Sequence, residues 1–287
     1  DPWWLLNNFK ASISGYIQFQ DGNSSINAAT SLCGINNAIA VETSIESTVQ
    51  GYGVTQILDV TTRDEAWVKT NYWSSLAHDV VVEQKESFDL RMRDYSALTD
   101  AFTFYDGNSS FRAEVMGAME DDSVMLGWGD ASSGEDQFIG PSSDEGVFTL
   151  PSDHSRNLSV LSGIVEASAT QNTYETANNE TDVHYVTFIM TDGDNIQWVL
   201  GDFQTDTRWW NAPDRGNFDL AWGISPSLID LAPATLKWYY NDASTTTGKD
   251  MFVVGPSGGG YMYPSRYPES ELLTHASRLN DYMGRTD

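Results

Sequence analysis

Tyr185-Val186-Thr187-Phe188-Ile189-Met190-Thr191-Asp192-Gly193-Asp194-Asn195-Ile196-Gln197-Trp198-Val199-Leu200 is an apolar run that stops on an Asp-Gly turn and resumes with helical character. The same pattern recurs at Gly15 to Asn27 and Ala101 to Met116, and there the turn is one identical string, Asp-Gly-Asn-Ser-Ser, at Asp21–Ser25 and Asp106–Ser110. Glycine permits the turn and Ser or Asp suits a helix N-terminus, so each unit reads as strand, turn, helix. Between them, short runs at Val54–Val60 and Ser123–Trp128 alternate with helical stretches at Arg63–Leu76 and Ser109–Glu120. That βαβα rhythm predicts an α/β fold with a mostly parallel sheet and flanking helices.

From Gly129 to Asp182 the composition turns to Ser, Asp, Gly, Asn and Thr around one apolar island, Leu158–Ala169, which predicts a loop-rich connection. A boundary near Asn178 divides the chain into residues 1–178 and 179–287. The second region restarts with the strand Tyr185–Met190, then a helix at Pro226–Tyr240, a strand at Met251–Val254 and a helix at Glu269–Met283. A closed eight-stranded barrel needs about 250 residues. The second region is therefore expected to be part of a barrel-like domain, or the chain to continue further.

The chain has 287 residues, with 41 Asp and Glu against 15 Lys and Arg, a net charge of -26. Such a field repels phosphate backbones and anionic membranes, which argues against nucleic-acid binding. Ten Trp, 13 Tyr and 12 Phe are too many for a solvated acidic tail, so the charge coats a folded body. Cys33 is the only cysteine, excluding an intrachain disulfide, and is expected to be a small buried residue. No apolar run approaches the roughly 18 residues of a membrane span, so no membrane insertion is expected. The opening Asp1-Pro2-Trp3 reads as a mature or excised segment. Sequons at Asn23, Asn108, Asn157 and Asn179 stand in turn-like contexts that tolerate a glycan. They point to an extracellular, secreted or cell-surface glycoprotein.

Two carboxylates, Asp192 and Asp194, follow the Tyr185–Met190 strand, at the edge where parallel α/β folds place their sites. They can act as general acid and partner or, alternatively, offer oxygen ligands to Ca²⁺. No cofactor is otherwise expected. The bland reading is a turn whose aspartates cap the next helix. Gly255-Pro256-Ser257-Gly258-Gly259 has the form of a nucleophile elbow, but Gly260, Pro264 and Pro268 interrupt the helix that an elbow requires, and His275 precedes Asp281. A serine hydrolase ranks third for that reason. Sugar rings stack on aromatic faces while amides and carboxylates bond their hydroxyls. Trp209 and Trp210 in a polar loop, with Asn195, Asp214, Tyr261 and Tyr263, form the expected sugar-binding set.

Gly258-Gly259-Gly260-Tyr261-Met262-Tyr263-Pro264 spells G-x-G-Y-x-Y-P, and the chain resembles the GxGYxYP family, to which glycoside hydrolysis is ascribed. Thr187–Trp198, Trp222–Ser227 and Leu231-Ala232-Pro233 resemble its C-terminal domain, and Ser25–Leu32, Arg93-Asp94-Tyr95 and Gly127-Trp128-Gly129 its N-terminal region. The resemblance implies a secreted α/β protein of carbohydrate context with a barrel-like C-terminal domain, and supplies no catalytic residue. The expectation is thus a glycoside hydrolase or glycan-binding protein in which Asp192 and Asp194 need a further acid, Asp214 or Glu269. The alternative is a non-catalytic structural glycoprotein, a self-assembling or heteromeric subunit at the cell surface.

Overall fold

The computed structural model describes residues 1–106, 109–132, 134–172, 180–246 and 248–286. Ten strands lie among them: β1 Gly15–Phe19, β2 Ala38–Glu42, β3 Gln56–Asp59, β4 Val80–Glu83, β5 Phe102–Phe104, β6 Ser123–Gly127, β7 Val147–Pro151, β8 Ile189–Met190, β9 Leu220–Gly223 and β10 Asp250–Val253. They form three sheets, in the orders β2-β1-β3, β5-β4-β6-β7 and β10-β9-β8. Every pairing of these strands is parallel. The α/β class with flanking helices is as the sequence predicts.

The central four-stranded sheet is buried on both faces, which is why its strands read as nearly continuous apolar runs. Alternate side chains separate its two cores. Val81, Met125 and Val147 face a cluster with Ile26, Ala29 and Leu32. Val82, Leu126 and Leu150 face Ile196, Trp222 and Leu228 of the C-terminal region. The helix Ser25–Cys33, buried along its whole length, bridges the first two sheets. Its small residues allow that, and its hydroxyls are satisfied locally: Thr30 Oγ1 donates to Ile26 O at 2.7 Å, and Ser31 Oγ accepts from Thr103 N of β5 at 2.8 Å. Cys33 is buried there, its thiol pushed up to about 12 by burial.

Two sequence expectations change. The stretch from Gly129 to Asp182 is loop-rich only in its later part: it first forms the helix Asp136–Asp144 and then β7, the strand to which the C-terminal region docks. The predicted strand Tyr185–Met190 contributes only Ile189 and Met190 to the third sheet, leaving Tyr185, Val186 and Phe188 exposed. β8, β9 and β10 are neighbours in chain order and form an open sheet.

Candidate functional site

β8 delivers the chain to Asp192, which adopts a left-handed φ of 70°, a conformation that side chains other than glycine take at some cost. Asn195 N closes the turn on Asp192 O at 3.1 Å, and the short helix Ile196–Val199 follows. Asn195 occupies the cap position without bonding the helix through its side chain. Its amide Nδ2 donates instead to Tyr261 Oη at 3.3 Å. The turn is thereby tied to the Gly-Tyr-Pro segment rather than to its own helix.

Asp192, Asp194, Ser257, Tyr261, Tyr263 and Ile139 line a cavity of about 440 Å³. Asp194 is half-buried, and its carboxyl is held above the usual carboxylate range, first by burial and further by the charge of Asp192. Among the described residues no cation pairs with it. Gly255, just beyond β10, lies flush against this carboxylate, where an added Cβ would sit 2.8 Å from Asp194 Oδ2. Burial also raises the Tyr261 phenol, with the charges of Asp194, Glu135 and Asp192 adding to the effect. Trp128, which follows β6, meets the Tyr261 ring edge-on at 5.8 Å.

The Gly258–Pro264 segment clamps the C-terminal region to β7. Tyr261 N donates to Thr149 O at 2.6 Å and Thr149 N to Tyr261 O at 2.8 Å, a local antiparallel bridge on that strand. Gly260 makes this approach possible: a Cβ there would stand 2.7 Å from Thr149 O. Met262 turns inward onto Phe148 and Tyr267, Tyr263 N donates to Ser143 Oγ at 2.9 Å, and the Tyr263 side chain stays partly exposed at the cavity. The last helix, Glu269–Thr286, is fastened to the same sheet by a buried network. His275 Nδ1 lies 2.8 Å from Asp122 Oδ1, and Arg278 Nε 3.1 Å from Asp122 Oδ2.

Not all the expected residues converge. Trp210 is a core residue, only 2% exposed: its Nε1 donates to Asp242 Oδ2 at 2.8 Å and the Arg215 guanidinium lies 3.7 Å from its ring centre. Trp209 stacks on Phe203 at 5.3 Å. The aromatic loop folds back over Trp222, Tyr239 and Phe252, so neither tryptophan lines the cavity of Asp194. Asp214 is exposed beside Asn217, and Glu269 opens the last helix, so neither expected further acid is there. Ser257 Oγ donates to Gly260 O at 2.7 Å within its own turn, not to a histidine. Asp281 pairs with Arg285 at 3.6 Å rather than with His275. Among the described residues no group of three or more His, Cys, Asp or Glu side chains is placed to hold a metal ion, and no helix is long and apolar enough to cross a membrane. Asn23 and Asn157 are exposed, while Asn108 and Asn179 lie outside the described residues, as does the expected boundary at Asn178.

Three family profiles match consecutive parts of the sequence: the GxGYxYP_N second domain over residues 13–76, the GxGYxYP third domain over 78–163, and the "GxGYxYP putative glycoside hydrolase C-terminal domain" over 182–287. The chain belongs to the GxGYxYP family. In this family member the motif residues are those that join β7 to the turn after β8. Among solved structures, a "putative hydrolase from Bacteroides thetaiotaomicron VPI-5482" is similar, with 34% identity and a TM-score of 0.85 over 98% of this chain. This chain spans 56% of that protein's length. No curated protein matches the sequence.

Proposed function

We propose that this GxGYxYP protein is an extracellular glycoside hydrolase in which Asp194 donates the proton to the departing glycosidic oxygen. The observation that carries this reading is a carboxyl group with a raised proton affinity, without a cation partner, in the wall of a sugar-sized cavity at the carboxyl end of a parallel strand. A general acid must hold its proton at the working pH, and burial beside Asp192 favours that state. Asp192, exposed on the same turn, is the charged partner that stabilises the developing oxocarbenium ion or activates water. Asp192 and Asp194 are the two acids that line this cavity, so the pair divides the two roles. Tyr261 and Tyr263 offer ring faces to the sugar, and Asn195 fixes the Tyr261 hydroxyl. The sequential order of β8, β9 and β10 supports a barrel-like arrangement for the C-terminal region, since successive βα units place their strands side by side.

Burial of Trp210 within the chain removes it from sugar contact and assembly contact alike, which weakens the structural-subunit alternative as much as the original aromatic platform. The test is turnover of a broad glycan panel by the wild type, Asp192→Asn and Asp194→Asn. Turnover by the wild type that each substitution abolishes or cripples supports the assignment. Turnover that survives both overturns it, and absence of turnover on every glycan overturns the enzymatic reading. Release of an N-glycan from Asn23 of natively produced protein tests the extracellular location.

A further inference from the structure

Cations are scarce in this chain, with 15 Lys and Arg against 41 Asp and Glu, so a cavity walled by arginines requires a reason. A cavity of about 570 Å³ is lined by Arg91, His154, Arg156, Gln197, Trp198 and Asp202 among others. Arg91 Nη1 lies 2.8 Å from His154 Nδ1. A guanidinium has no lone pair to offer, so Nδ1 accepts and the ring proton sits on Nε2, 3.7 Å from Asp153 Oδ2. The imidazole is wedged between the edge of Phe88, 5.1 Å away, and the tilted ring of Trp198 at 5.6 Å, and Arg91 lies 4.4 Å over Phe88. Gln197 Oε1 accepts from His154 N at 3.4 Å, tying this wall to the helix that follows the Asp194 turn.

Neither Arg91 nor Arg156 is ion-paired with a carboxylate among the described residues. Arg91 keeps its remaining donors, and the exposed Arg156 keeps all five. Two acids lie close by: Asp202 at the rim, exposed, and Asp153, whose Oδ1 is buried without a hydrogen-bond partner. The geometry points to an anionic-sugar subsite in this cavity: a saccharide unit bearing a carboxylate or a sulfate, its charged group on Arg91 and Arg156 and its ring against Trp198. Planar guanidinium forks suit either oxyanion, and an isolated charged group in a pocket escapes the repulsion that the net charge imposes on long polyanions. Asp192 and Asp194 line one cavity, and Gln197 and Trp198, a few residues on in the same segment, line the other, so a bound chain can present an acidic unit to the arginines while a neighbouring linkage reaches Asp194. The inference rests on the glycan reading and names its substrate class.

The test is a glycan array carrying uronates, sulfated sugars and their neutral counterparts. The protein is produced in a host that leaves Asn157 unmodified, because this asparagine lines the same cavity. Acidic glycans are expected to be retained over neutral ones, with retention falling as salt rises. Arg156→Gln, on an exposed side chain without a hydrogen bond or ion pair among the described residues, and Arg91→Gln are each expected to weaken acidic ligands about tenfold, with a smaller loss for neutral ones. Preference for uronates or for sulfates identifies the anion. Equal retention of acidic and neutral glycans, no retention of acidic ones, or equal loss for both classes in the variants overturns the inference. Arginine-dependent retention without turnover sustains the subsite and defeats the hydrolase reading. Turnover of neutral glycans without an acidic preference does the reverse.

Discussion

Glu83 and Asp194 are both carboxyl groups at the carboxyl ends of parallel strands, and burial raises the proton affinity of both, yet their surroundings differ. Glu83, the last residue of β4, is wholly buried and pushed up to about 7 because desolvation outweighs its cation. Both of its oxygens accept from Arg112 Nε, at 3.2 and 3.0 Å, and the same guanidinium continues to Phe138 O and Ser142 Oγ. Every part of that pair faces protein. Asp194 has no such cation and faces a cavity. A raised carboxyl alone therefore does not mark a site. The combination of raised affinity, no countercharge and an open wall does.

The comparison can be broken most severely at Asp194. Asp194→Asn is expected to lower glycoside turnover by about 10²–10⁴-fold, the usual worth of a general acid, while the melting temperature stays within a few degrees. A collapse of stability with it would place Asp194 beside Glu83 as a structural group. Arg112→Met is the converse: it leaves Glu83 buried without its cation and is expected to destabilise by about 3–5 kcal/mol at pH 8 in denaturant unfolding. That deficit shrinks toward pH 5, where Glu83 takes up a proton.

A smaller effect is expected from Gly255→Ala. Its Cβ would crowd Asp194 Oδ2 at 2.8 Å, so about a tenfold loss of kcat with little change in folding stability would show that the placement of the carboxylate matters. The last prediction concerns the pH behaviour. Glu83 has a folded pKa of about 7 against an ordinary 4.5, so the folded state holds the proton more tightly than the unfolded state. Its contribution is present below pH 4.5 and is lost as the pH rises through 7. Stability curves of the wild type should show that decline, and those of Glu83→Gln should lack it.

Much of this arrangement is legible in the sequence because strand-turn-helix units announce themselves through local periodicity and turn residues. The turn carrying Asp192 and Asp194, the strands β1, β3, β5 and β6 and the last helix all follow from such patterns, whereas β2 and β4 carry no turn signal of that kind and are not read from them. β7 and the helix before it do not, since Pro141, Ser142, Ser143 and Asp144 read as loop although the helix runs through them. The site is only half legible for a related reason. Asp194 and Tyr261 lie in recognisable strings, whereas Trp128 comes into play only because the central sheet brings it to Tyr261. Trp209 and Trp210 mislead in the opposite direction: a polar loop suggests exposure, but here it closes over an aromatic core whose members are spread from Phe203 to Phe252.

The most direct measurement of the central claim uses leaving groups. On a glycone that the wild type hydrolyses, the rate of Asp194→Asn is compared between a 2,4-dinitrophenyl glycoside, whose aglycone departs without protonation, and an alkyl glycoside, whose aglycone needs a proton. If Asp194 is the general acid, the variant keeps most of its activity on the aryl substrate and loses it on the alkyl one. Equal losses on the two substrates, or no loss on either, would contradict the account.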